Sequence, residues 1–102
     1  MTKAVVTGWK IKPGKSDRAC SSGTWKDHWL VFSGVTWPPY CSVYGCLQVP
    51  TLGAIIDNPA VAGEHIAPLC HACNSQVVRF KLNYQVTLVS VDQAQTCEVL
   101  IT

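Results

Sequence analysis

Charge is scarce in this chain: 14% of its 102 residues are charged, eight Lys or Arg against six Asp or Glu, for a formal net charge of +2. The basic residues are scattered rather than gathered into a run, so the field alone is too weak to argue for nucleic-acid binding. Residues 1–12 lack the apolar stretch of an export signal. No segment approaches the roughly 20 consecutive apolar residues that a membrane-spanning helix requires. A cytoplasmic address with no membrane partner is therefore expected. Also missing are a phosphate-cradling glycine loop, a Ser-His-Asp arrangement and the helix signature of metalloproteases, which removes the commonest sequence marks of those three chemistries.

What the chain does have is apolar residues, at 48%, and six cysteines. That apolar content argues against disorder, and the length suits a single domain spanning residues 1–102. In an oxidising compartment six cysteines would read as three disulfides; without an export signal, metal ligation is the better reading.

Along the chain, residues 2–11 are rich in β-branched and aromatic side chains and stop at Lys12-Pro13-Gly14, which predicts a first strand and a turn. Residues 16–23 are polar and small and predict a loop carrying Cys20. Thr24 is placed to cap a short helix in which Trp25, Trp29, Leu30 and Phe32 recur at helical spacing until Gly34, with the tryptophans as core filling. Trp37-Pro38-Pro39-Tyr40 delivers the chain in extended form to Cys41, because its prolines lack amide donors. Residues 52–56 and 65–69 predict two strands joined by a loop around Asp57-Asn58-Pro59. A short helix follows at residues 69–76, then alternating strands over 77–91 with a turn near Asn83, and a last short strand at 97–101. Residues 86–91 are apolar enough to leave dimerisation by edge pairing open.

The cysteines carry the chemical signal. Cys41 and Cys46 bracket a tight turn, with Gly45 supplying the backbone freedom, and Cys70 and Cys73 lie one helical turn apart on one face. Two short pairs from separate turns suit a tetrahedral structural zinc site, with buried free thiols or disulfides as the competing reading. The order of turn, hairpin and helix-borne pair is the plan of a treble-clef zinc finger, here with a core over residues 37–77. Cys20 and Cys97 read as free thiols, with a mutual disulfide or a second metal site as alternatives.

The stretch from Cys41 to Asn74, with Leu52-Gly53-Ala54 inside it and Ile66-Ala67-Pro68-Leu69-Cys70-His71-Ala72-Cys73-Asn74 closing it, resembles the zinc-stabilised HNH nuclease fold, also called ββα-metal. It is most similar to a group of small bacterial proteins in which Trp-x-x-His-Trp precedes the core, matched by Trp25, His28 and Trp29. Leu88-Val89-Ser90 and Thr96-Cys97 match that group's closing segments. The resemblance implies a general-base histidine on the first hairpin strand and a divalent ion on a scissile phosphate. Where the group often reads Gly-Ala-His-Val, this chain reads Gly53-Ala54-Ile55-Ile56, and isoleucine can neither take a proton nor bind a metal.

A secondary site could draw on His71, Asn74, His65 and His28. The bland reading of each is an exposed polar residue for His71 and a helix-end residue for Asn74. His28 would then be a hydrogen-bonding anchor for its helix, and His65 is equally open. Asp57 and Glu64 could pair on a cation, although exposed loop acids are usually just solvated. The expectation is an α+β treble-clef domain with an HNH-like plan, an N-terminal helix and additional short strands. Its expected role is that of a non-catalytic, zinc-binding module for protein or nucleic acid. The alternatives are a divergent metal-dependent nuclease using His65, His71 or Asn74, and a phage or mobile-element factor that modulates a host protein.

Overall fold

The computed structural model describes residues 6–12, 24–76 and 78–91. Cys20, Cys97, the loop at 16–23 and the strand expected at 97–101 lie outside them. The described residues form a small α+β fold: a four-stranded antiparallel sheet in the order β1 (Lys10–Ile11), β2 (Leu52–Asn58), β3 (Val61–Leu69), β4 (Val89–Ser90), with two helices, α1 (Trp25–Ser33) and α2 (His71–Asn74).

The β2–β3 hairpin is the frame. Its register pairs Leu52 with Leu69, Gly53 with Pro68, Ala54 with Ala67 and Ile55 with Ile66. Because side chains alternate across a strand, Leu52, Ala54, Ile56, Ala67 and Leu69 face one side, and Gly53, Ile55 and Ile66 face the other. Both faces are covered. The first carries the cluster of Trp9, Phe80, Leu82 and the buried cysteines; the second carries Trp25, Trp29 and Val89. Burial on both sides explains why β2 reads as an unbroken apolar run rather than as an alternating pattern.

The hairpin is longer and tighter than the sequence implied. β3 starts at Val61, so the connection is the two-residue turn Pro59-Ala60. The polar residues expected to break the strand are part of it: Asn58 Oδ1 accepts from the Ala60 amide at 2.9 Å, and Asn58 Nδ2 donates to the Thr7 carbonyl at 2.7 Å. Pro68 fits within β3 because its carbonyl points outward to the Ser42 amide, so its missing donor also lies on the side away from β2.

The flanking strands are shorter than expected. Of residues 2–11, the described part contributes only Lys10–Ile11 plus a bridge from Trp9 to Phe80. Residues 78–91 contribute single bridges at Phe80 and Leu82 and the short β4, around a turn that the Val86 amide closes on the Asn83 carbonyl. Their alternation places side chains into the two cores without building a continuous ladder.

Helix α1 forms as its caps dictate. Thr24 is extended and its hydroxyl accepts from the Asp27 amide at 3.1 Å, while Gly34 ends the helix at φ 71. The helix rests directly on β2 at Gly53. A Cβ there would lie 2.7 Å from the Trp25 carbonyl carbon and the Lys26 amide nitrogen, both of them backbone. Gly53→Ala should therefore lift the start of α1 off the sheet and cost about 1–3 kcal/mol, read as a lowered urea midpoint.

Candidate metal centre

Four sulfurs meet beneath the first face of the sheet. Cys41 and Cys46 come from a loop that the Cys41 amide closes on the Gln48 carbonyl at 2.8 Å, with an inner turn closed by the Cys46 amide on the Val43 carbonyl at 3.0 Å. Gly45 takes φ 81 inside that turn, a conformation side chains disfavour. The loop is pinned from outside by the Tyr44 amide donating to the Lys81 carbonyl and the Asn83 amide donating to the Ser42 carbonyl. Asn83 Nδ2 adds a bond to the Cys41 carbonyl at 3.3 Å.

The other pair comes from the end of β3. Cys70 is the N-cap of α2, and its sulfur accepts from the Cys73 amide at 3.4 Å. The Cys70 amide in turn donates to Cys41 Sγ at 3.3 Å. Such N–H donors stabilise sulfur in its anionic, ligating form.

All four sulfurs lie within 4.8 Å of one another, and none is in a disulfide. Cys46 Sγ stands 3.8 Å from both Cys70 Sγ and Cys73 Sγ. For metal–sulfur bonds of about 2.3 Å, a regular tetrahedron has edges of about 3.8 Å. Two of the separations thus match such an edge, and the four cysteines could hold a metal ion. Cys41, Cys70 and Cys73 are buried and Cys46 is half-buried.

Proton affinities in the cluster are split. Burial pushes the Cys41 and Cys73 thiols up, Cys73 strongly and with reinforcement from its hydrogen bond to Cys70. Burial also acts against ionisation of Cys70, but the Cys73 amide and the surrounding thiols outweigh it and bring its pKa down. Cys70 therefore ionises more readily than Cys41 or Cys73. A bound cation would displace the remaining protons, so metal affinity rises with pH.

The other sequence candidates are dispersed. His71 is exposed on α2; Asn74 ends that helix half-buried, its amide donating to the Cys70 carbonyl at 3.0 Å. His65 lies on β3, its ring edge-to-face with Trp9 at 5.8 Å. His28 is fully buried on α1 between Trp25 and Phe32, with Nε2 3.4 Å from the Ser90 carbonyl. Among the described residues, the group of ligand atoms that converges is the four cysteines, and none of the three histidines joins it. Asp57 and Glu64 do approach a cation, the Lys12 ammonium, at 3.6 and 3.5 Å.

His28 does anchor its helix, although it does so in the α1 core rather than beside the cysteines. Burial lowers its pKa from the ordinary 6.5. The unfolded chain therefore binds this proton more readily below that value, and stability contributed above it is lost as pH falls. Metal-loaded protein should lose stability more steeply between neutral and mildly acid pH than a His28→Gln variant, measured by urea unfolding.

Some contributors carry no sequence signal. Asn83 clamps Cys41 from 42 residues away, and only the folded chain reveals it. The chain matches no family model, no curated protein and no solved structure. No helix among the described residues is long and apolar enough to cross a membrane.

Proposed function

We propose that this protein is a zinc-braced, non-catalytic binding module on a treble-clef scaffold of HNH-like plan, which presents a rigid surface to protein or nucleic acid. The carrying observation is the convergence of four sulfurs within 4.8 Å of one another, two of their separations matching a tetrahedral edge. Catalytic zinc sites keep a position open for water or substrate, whereas four thiolates leave none and make the ion structural. Soft sulfur donors favour zinc over magnesium or calcium.

The hairpin position where the resemblance puts a general base supports the same reading. Ile55 is 6% exposed and packs with Trp25, Trp29 and Ile66 beneath α1, a setting closed to a scissile phosphate. A scaffold does not by itself confer its usual chemistry. Incubation of the zinc-loaded protein with supercoiled plasmid and magnesium, manganese or nickel should leave the plasmid intact. Nicking that a His71→Ala variant loses would instead establish the divergent nuclease.

A further inference from the structure

We propose that the surface formed by Tyr44, Lys81 and Tyr84 binds single-stranded nucleic acid; this rests on the reading of the chain as a binding module and specifies its partner class. The chain has three tyrosines, and all are more than half exposed: Tyr40 at 54%, Tyr44 at 56% and Tyr84 at 65%. The tryptophans are placed deeper, with Trp9, Trp25 and Trp29 buried and Trp37 half-buried. The aromatic surface is thus a matter of placement rather than of excess, since the core has taken its own share.

The arrangement is specific. Lys81 Nζ lies 4.3 Å from the Tyr44 ring centroid and 5.0 Å from that of Tyr84. The two rings meet edge to face at 6.5 Å. Tyr44 sits in the loop between the first two cysteines, and its amide is bonded to the Lys81 carbonyl at 2.7 Å, so the backbone under both side chains is fixed. Lys12 meets the carboxylates of Asp57 and Glu64, whereas Lys81 lies over two aromatic rings.

Tyr84 and Tyr40 also line a cleft of about 640 Å³ whose other walls include Pro38, Gln85 and Thr87 and, among the described residues, no charged side chain. The ligand chemistry that fits is a polymer alternating flat, uncharged, hydrogen-bonding rings with anionic links. Bases stack on the tyrosines or enter the neutral cleft, and a phosphate draws the Lys81 ammonium from its rings. A duplex cannot do this, because its base faces are already stacked on one another.

The test uses the full, zinc-loaded chain and fluorescence anisotropy of labelled oligothymidylate, oligouridylate and a duplex of equal length. Both single strands should bind in preference to the duplex, and the stronger of them identifies DNA or RNA as the source. Tyr44→Ala and Tyr84→Ala should each weaken binding roughly 5- to 150-fold. Tyr44→Phe should retain it, since stacking needs the ring and not the hydroxyl. Lys81→Gln should reduce the slope of log affinity against log salt by about 0.7, the loss of one phosphate contact. Each variant's zinc content and circular dichroism should match the parent, because these side chains are on the surface. The proposal is overturned if single strands fail to bind, if duplex binds equally well, or if the alanine variants bind like the parent. Protein that carries zinc yet ignores every oligonucleotide would sink this inference and leave the module reading with a protein partner; protein without zinc would sink the module reading itself.

Discussion

Cys70→Ser is expected to release the metal and unfold the centre of the chain, seen as loss of bound zinc together with loss of the cooperative thermal transition. Cys70 does three things at once. Its sulfur stands 3.8 Å from that of Cys46, it accepts the Cys73 amide as the N-cap of α2, and its own amide donates to Cys41 Sγ. Serine can still cap the helix, so the loss isolates the ligand role. Structural zinc contributes on the order of 10 kcal/mol, comparable to the whole stability of a domain, about 5–15 kcal/mol. A strong chelator should reproduce the effect in the parent protein, and added zinc should reverse it there and not in the variant. A Cys70→Ser protein that melts like the parent would mean that packing, and not the ion, holds the cysteine loops together.

The second large effect belongs to the other face of the sheet. Trp29 is 2% exposed, meets Trp37 edge to face at 5.3 Å and donates Nε1 to the Thr87 carbonyl at 3.0 Å. Trp29→Ala should cost about 3–5 kcal/mol, since α1 would lose the side chain that ties it to Ile55, Ile66 and Val89. Trp29→Phe keeps most of the packing and should cost less, about 1 kcal/mol of it from the lost hydrogen bond. Urea unfolding of zinc-loaded protein measures both. Zinc stoichiometry should stay unchanged in the folded variants, because Trp29 and the cysteines lie in separate clusters. Loss of metal on Trp29→Ala would show that the two cores are one cooperative unit.

How far the chain could be read in advance depended on whether a signal was local. Helix α1 was legible because Thr24, the tryptophan spacing and Gly34 all act within its own turns. The convergence of Cys41, Cys46, Cys70 and Cys73 was legible because two short pairs constrain each other. The true extent of β3 was not, since Ala62, Gly63 and Glu64 look like loop residues and become strand only by pairing in the hairpin. The residues after 77 misled in the opposite sense: their alternation came from facing two cores, and bridges at Phe80 and Leu82 were enough to fix them. The need for glycine at position 53 was invisible for the same reason, because it arises from helix backbone laid across the strand. His65 and His28 are of a ligand residue type, yet their rings pack against Trp9, Trp25 and Phe32 and lie outside the cysteine cluster.

Whether one cation joins the two cysteine pairs is decided by X-ray absorption at the zinc edge on protein purified without added metal. About one zinc per chain is expected, surrounded by four sulfur neighbours at about 2.3 Å. A shell containing nitrogen or oxygen ligands, or protein free of metal with its cysteines oxidised to disulfides, would contradict it.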